Sequence, residues 1–110
     1  MDNRVQRIKA LIQQDIDAYC KLIGEDFSED IGRALLGYVC TAHINGGAFL
    51  LTTLLGLGEL EKKLSKPNKK VKLRNVCNCL AEIKQLSDDG CREELEELKR
   101  YANRLIGYGD

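Results

Sequence analysis

The sequence predicts an all-α fold, with about five helices forming a compact helical bundle around a central apolar helical hairpin. Residues 34–58 carry no charged side chain, and His43 is the one histidine among them. On either side, apolar residues recur at three- and four-residue spacing among charged ones, the pattern of amphipathic helices. No segment alternates cleanly enough to be a strand. At 110 residues the chain is long enough for one core, so we expect residues 1–110 to form a single helical domain.

The first predicted helix runs from about Asn3 to Ile23. Gly24 follows it as a natural helix stop. Its apolar stripe consists of Val5, Ile8, Leu11, Ile12, Ile16, Tyr19 and Ile23. This helix should bury one face only.

The uncharged stretch predicts two further helices. Asp26 or Ser28 can cap the second helix, which should run toward Ile44. Residues 45–47, Asn-Gly-Gly, read as a helix stop, and the third helix should extend from about Ala48 to Leu64. Apolar residues occupy both sides of the stretch: Ile31, Leu35, Tyr38, Ala42 and Phe49 on one, and Leu36, Val39, Cys40, Leu50 and Leu54 on the other. We therefore expect it to be covered all round, either inside the protein or in a bilayer.

The remaining chain predicts two amphipathic helices. Pro67 marks residues 65–69 as a loop, after which a fourth helix should run to about Leu86. Residues 87–89 are expected to cap the fifth helix, in which Glu96 can pair with Arg100. The fifth helix has a clean apolar stripe of Cys91, Leu95, Leu98, Ala102 and Leu105.

A zinc site is the sharpest chemical hypothesis that the residue types allow. Cys40 and His43 are three residues apart, Cys77 and Cys79 could add two thiolates, and Cys91 could replace either. The spacing fits no closed zinc module, and each cysteine lies on or beside an apolar stripe. We therefore predict no metal and no cofactor. His43 is expected to be a hydrogen-bonded core residue, so no catalytic residue is predicted either.

A basic segment follows the third helix. Residues 62–74 contain seven basic side chains and no acidic one. Such a segment can bind phosphates without regard to base sequence, but it has no aromatic residue for base stacking. Such a run is more often a solvated interhelical connection. The candidate nucleic-acid contacts are Lys63, Lys66, Lys69, Lys70, Lys72 and Arg74.

The function predicted from these patterns is non-catalytic. Glycines at 32, 37, 46, 47, 56 and 58 lower helix propensity, and close approach of a neighbouring helix, which a second copy could supply, would compensate. We therefore expect a small helical protein that acts through protein contacts as a homodimer, with an unknown protein partner. The alternatives are a nucleic-acid-associated subunit and a small membrane protein with residues 34–58 embedded. The N-terminal residues lack the apolar run of a signal peptide and the cysteine count is odd, so we expect a cytoplasmic protein.

Overall fold

The computed structural model describes residues 3–107 of the chain. This part of the chain contains five α-helices joined by loops and turns, and no strand. The all-α class and the number of helices predicted from the sequence are therefore confirmed. The helices are α1 (Asn3–Ile23), α2 (Ser28–Thr41), α3 (Gly46–Leu64), α4 (Arg74–Asp88) and α5 (Arg92–Ile106).

The connection between α1 and α2 forms in part as its residue types predict, since the N-cap of α2 is Phe27 and not Asp26 or Ser28. Gly24 takes a left-handed φ of 74°, which ends α1. Asp26 accepts hydrogen bonds from the Ser28 amide at 2.9 Å and from its hydroxyl at 2.6 Å. These hydrogen bonds lower the pKa of Asp26, because they stabilise the carboxylate. The turn therefore fixes where α2 begins.

Three predicted helix ends differ from the structure. The Asn45 side chain accepts a hydrogen bond from the Gly47 amide at 3.1 Å, so the Asn-Gly-Gly triplet begins α3 at Gly46, and α2 has already ended at Thr41. Residues 87–89 do not cap α5: its N-cap is Cys91, which follows Gly90 at φ 72°, and no side chain accepts from the first turn. Glu96 pairs with Lys99 at 3.2 Å rather than with Arg100.

Helix α4 is the centre of the bundle, since it contacts all four other helices. Its buried side chains are Val76, Cys79, Leu80, Ile83 and Leu86. Helix α1 packs against α4 and α5, while α2 packs mainly against α5. That last contact is close: a Cβ on Gly32 would lie 2.7 Å from the carbonyl oxygen of Ala102, so only glycine fits there.

The uncharged stretch is not the centre of the fold, which corrects the expectation that it is covered all round. Its first predicted stripe is buried, from Ile31 through Phe49. On the second stripe Val39 is buried, whereas Cys40 and Leu54 are exposed. Helix α3 packs mainly against α4 and α2 and has no helix on its outer side among the described residues. The outer half of the expected central hairpin therefore lies at the surface.

Candidate interaction surface

The outer face of α3 exposes a row of leucines. Leu51 is 64% exposed, Leu55 is 66% exposed and Leu54 is 45% exposed. Because Leu51 and Leu55 are four residues apart, their side chains lie one above the other on the helix. The opposite face of the same helix is buried through Phe49, Thr53 and Leu57. We call Leu51, Leu54 and Leu55 the leucine ridge.

The segment of α3 that carries the leucine ridge is uncharged. No residue from Gly46 to Gly58 carries a charge, and the first charged residue of α3 is Glu59. Scattered exposed leucines are normal on protein surfaces, but a contiguous apolar face on one helix is typical of an interaction site. This part of the surface therefore resembles an interface more than a solvated helix face.

A groove runs between α2 and α3 on one side of the leucine ridge. Its volume is about 330 Å³. Small or uncharged side chains line most of it, with Gly37, Thr41, Thr52 and Gly56 among them. Thr41 donates its hydroxyl to the Gly37 carbonyl at 2.8 Å, so its polar atom is already satisfied within α2.

The α2–α3 groove is also lined by two larger polar side chains, Arg33 and Tyr38. Arg33 lies in the lining and pairs with Glu29 at 2.8 Å, one helical turn away. Tyr38 is buried. A phenol is uncharged at neutral pH, and burial raises the pKa of Tyr38 further, to about 12. The groove therefore presents neither an unpaired charge nor a reactive group.

A second groove lies on the other side of the leucine ridge, between α3 and α4. Its volume is about 280 Å³, and it is lined by Leu54, Leu57, Gly58, Glu61, Arg74, Cys77 and Asn78. This α3–α4 groove contains charged side chains, unlike the uncharged ridge beside it. The two flanks of α3 thus differ in chemistry.

Two carboxylates hold the N-terminal turn of α4 in place. Asp15 on α1 accepts the Val76 amide at 3.0 Å, and Glu61 on α3 accepts the Leu73 amide at 2.6 Å. Asp15 is only 6% exposed, and burial raises its pKa although its hydrogen bonds to the α4 backbone oppose that shift. These contacts tie α1 and α3 to the central helix.

This role of Asp15 did not follow from the apolar stripe predicted for the first helix. The available signal was spacing: Asp15 lies three residues after Ile12 and seven after Ile8, within the apolar stripe. A carboxylate at such a position is buried with its helix face, and it then needs hydrogen-bond donors from a neighbouring element.

The structure separates the candidate metal ligands. Cys40 and His43 are exposed near the end of α2, whereas Cys77 lines the α3–α4 groove and Cys79 is buried. The Cys79 thiol donates to the Ile8 carbonyl at 3.9 Å, and burial raises its pKa to about 12, which disfavours the thiolate that zinc binds. Within residues 3–107, no group of three or more His, Cys, Asp or Glu side chains is placed to hold a metal ion.

His43 is not the core residue that the sequence predicted. It is exposed, and it borders a cleft of about 300 Å³ between the end of α2 and the start of α5. The other polar residues in that lining are Ser87, Arg92, Glu96 and Lys99. Lys99 is already paired with Glu96. The expectation of a hydrogen-bonded core histidine is therefore wrong, since the residue faces solvent.

The basic segment divides into paired and unpaired side chains. Lys63 pairs with Asp30 at 3.3 Å, and Lys66 pairs with Glu25 at 3.4 Å. The other basic residues of this segment are exposed and have no ion-pair partner within residues 3–107: Lys62, Lys69, Lys70, Lys72 and Arg74. Of the six candidate nucleic-acid contacts, the structure leaves four unpaired.

Comparison with known proteins gives no further guide. The chain matches no protein-family model, no curated protein and no solved structure. Among the described residues, no helix is both long enough and apolar enough to cross a membrane.

Proposed function

We propose that this protein is non-catalytic and acts through protein contacts, as a homodimer joined by the leucine ridge of α3. The single observation that carries the proposal is the exposure of Leu51, Leu54 and Leu55 on an uncharged helix face. Removing such side chains from water is the main favourable term in protein association. An unidentified protein partner could then bind the outer surface of the dimer.

A second copy is the occupant that the charge pattern favours. In a twofold dimer the same patch meets itself, so any net charge on the patch would repel its own copy. The leucine ridge has no charge, and Arg33 beside it is paired with Glu29. The surface is therefore compatible with itself, which a basic or acidic face would not be.

Self-association is tested by light scattering coupled to size-exclusion chromatography. The reduced, detergent-free protein is measured over a range of concentrations. We expect the mass to rise toward twice that of the 12.4 kDa chain as concentration increases. A mass equal to one chain at every concentration would contradict the homodimer.

The proposal places the protein in the cytoplasm. Support comes from the five free cysteines, of which Cys40 is exposed. Free thiols persist where glutathione and thioredoxin keep them reduced. Fractionation of cells that express the protein at its natural level tests this location.

A second candidate function is binding of nucleic acid through the basic segment. The observation that favours it is the group of exposed basic side chains without ion-pair partners in the described chain, above all Lys70 and Lys72. Phosphate contacts of this kind release counterions, so affinity should fall steeply with salt. The homodimer has the stronger support, because exposed lysines are ordinary on protein surfaces whereas a contiguous apolar helix face is not.

Fluorescence anisotropy with a short mixed-sequence oligonucleotide tests this candidate. Affinity should drop between about 50 and about 200 mM salt, and the double variant Lys70→Glu and Lys72→Glu should abolish binding. Lys21→Glu on α1 is the control, since it changes the charge of an exposed lysine on another helix. Binding that does not respond to salt, or that survives the double variant, would exclude this role.

A further inference from the structure

We infer that in the homodimer the leucine ridge of each copy docks into the α2–α3 groove of the other, through the space left by Gly37 and Gly56. This inference rests on the proposed homodimer and specifies its geometry. In such an arrangement the α3 helices of the two copies pack side by side, flanked by the two α2 helices.

Two glycines open this groove, and no contact in the described chain requires a glycine at either position. A Cβ built on Gly37 or on Gly56 would meet no atom within 4 Å. Gly32 is different, since its Cβ would lie 2.7 Å from the Ala102 carbonyl oxygen in α5. Glycine within a helix is less stable than alanine. Gly32 is explained by packing within one chain, whereas Gly37 and Gly56 leave room for a group outside it.

The α2–α3 groove lies directly beside the leucine ridge. Gly56 follows Leu55 directly in α3, so ridge and groove lie side by side on one surface. A twofold axis between them brings each ridge onto the groove of the other copy. The apolar ridge then meets a lining in which Thr41 is internally hydrogen-bonded and Arg33 is ion-paired.

Area also favours docking into the groove over contact of the two ridges alone. From Gly46 to Gly58 α3 is about 20 Å long and about 10 Å wide, a footprint of about 200 Å². Stable interfaces bury about 800 Å² of accessible surface on each partner. Including the groove and α2 doubles the footprint to about 400 Å², and interdigitated side chains bury more accessible area than the footprint itself. Contact between the two leucine ridges alone is much further below the area of a stable interface.

The small footprint also indicates how tightly the two copies should associate. Interfaces at the low end of the size range form weak or transient complexes. We therefore expect a dimer that dissociates on dilution. The light-scattering measurement must span that transition.

The α3–α4 groove is the competing docking place on the same helix. It contains Glu61, which is bonded to the Leu73 amide, and Arg74, which has no ion-pair partner within residues 3–107. An apolar ridge docked there would remove the unpaired Arg74 from water without a counter-charge. In the α2–α3 groove the charged lining residue, Arg33, keeps Glu29 as its counter-charge.

Glutamine substitutions at the glycines test the inference. Gly37→Gln and Gly56→Gln fill the groove with an uncharged side chain that favours helix, so each monomer should unfold at the same or a higher temperature. If the groove is the docking site, each variant should weaken dimerisation by at least about tenfold. Gly58→Gln is the matched comparison, because Gly58 also has no atom near its Cβ but lines the α3–α4 groove.

The outcomes separate this inference from the proposed homodimer. Dissociation by both groove variants, with Gly58→Gln close to wild type, supports the α2–α3 groove. If only Gly58→Gln dissociates the dimer, docking uses the other groove. A dimer unaffected by Gly37→Gln and Gly56→Gln but broken by Leu55→Asp overturns the groove geometry alone, and a wild-type monomer overturns both proposals.

Hydrogen exchange on the wild-type protein gives a second test that needs no variant to fold. Amides should exchange more slowly at high protein concentration in two segments, residues 37–41 of α2 and residues 52–56 of α3. Concentration-dependent protection of residues 74–78 of α4, without protection of α2, would contradict the inference.

Discussion

Replacing Leu55 by aspartate should dissociate the homodimer without unfolding the monomer. Leu55 is 66% exposed in the monomer, so a partner can remove about two thirds of its side chain from water. Full burial of leucine contributes about 2 kcal/mol, so the two copies of Leu55 together contribute about 2.6 kcal/mol to association. Losing this contribution raises the dissociation constant by close to a hundredfold.

The charge of the new side chain adds to that effect. In a twofold dimer the two aspartates lie on the same interface, so each carboxylate loses water and approaches its own copy. A hundredfold increase is therefore the lower bound for Leu55→Asp. Monomer stability should change by no more than about 0.5 kcal/mol, because the substitution is on the surface.

Leu22→Asp is the control for this experiment. Leu22 is 43% exposed, close to the 45% of Leu54, and it lies on α1, which packs against α4 and α5. The chemical change is the same, but the position is outside the leucine ridge. Analytical ultracentrifugation should give a wild-type dissociation constant for Leu22→Asp. The reasoning would be refuted if Leu55→Asp dimerises like wild type, or if both variants lose dimerisation equally.

Three further predictions concern folding and reactivity. Replacement of Asp15 by alanine leaves an amide of α4 without its acceptor, and urea unfolding should show a loss of about 1 to 3 kcal/mol. Burial raises the pKa of Asp15 in the folded protein above 3.8, so the folded state holds the proton of Asp15 more tightly than the unfolded state does. The contribution of Asp15 to the free energy of unfolding should therefore fall as pH rises through the folded pKa, and Asp15→Asn should remove this pH dependence. Gly32→Ala forces a Cβ against a carbonyl oxygen of α5 and should destabilise the fold by about 1 to 3 kcal/mol. Gly37→Ala meets no neighbouring atom and favours the helix, so in dilute protein it should stabilise the fold by up to about 1 kcal/mol. Alkylation of the native protein should modify exposed Cys40 first and buried Cys79 only after unfolding.

Each of these predictions has an outcome that contradicts it. Equal stability of wild type and Asp15→Ala would mean that water or another acceptor replaces the lost contact of the Val76 amide. A Gly32→Ala protein as stable as wild type would show that α2 and α5 are not closely packed at that point. Rapid alkylation of Cys79 under native conditions would show that α4 is not the buried centre of the bundle.

Local patterns were sufficient to predict both ends of α1, the start of α2 and the end of α3. The bounds of α1, Asn3–Ile23, followed from the spacing of its isoleucines and from Gly24, both of which act within a few residues. The start of α3 was harder, because Asn45 and two glycines are as suitable for ending a helix as for beginning one. The direction in which the Asn45 side chain points decides between them, and it points to the Gly47 amide.

Local patterns could not show which helix lies at the centre. The uncharged stretch looked central because it is the most apolar part of the chain, yet α4 contacts every other helix and α3 lies at the edge. Apolarity measures how much a segment gains from leaving water, but not which neighbour covers it. A segment covered by a second chain and one covered by its own chain have the same composition.

What the sequence determined by itself is the all-α class, the five helices and the presence of more apolar surface than one amphipathic face requires. These properties depend on spacing, capping residues and side-chain type, which act within a few turns of one helix. Only the tertiary structure decided that Leu51, Leu54 and Leu55 face outward, that Gly37 and Gly56 border open space, and that Asp15 accepts an amide of α4. The physical reason is that burial and hydrogen-bond satisfaction depend on contacts between residues distant in the chain, so they exist only once the helices have packed.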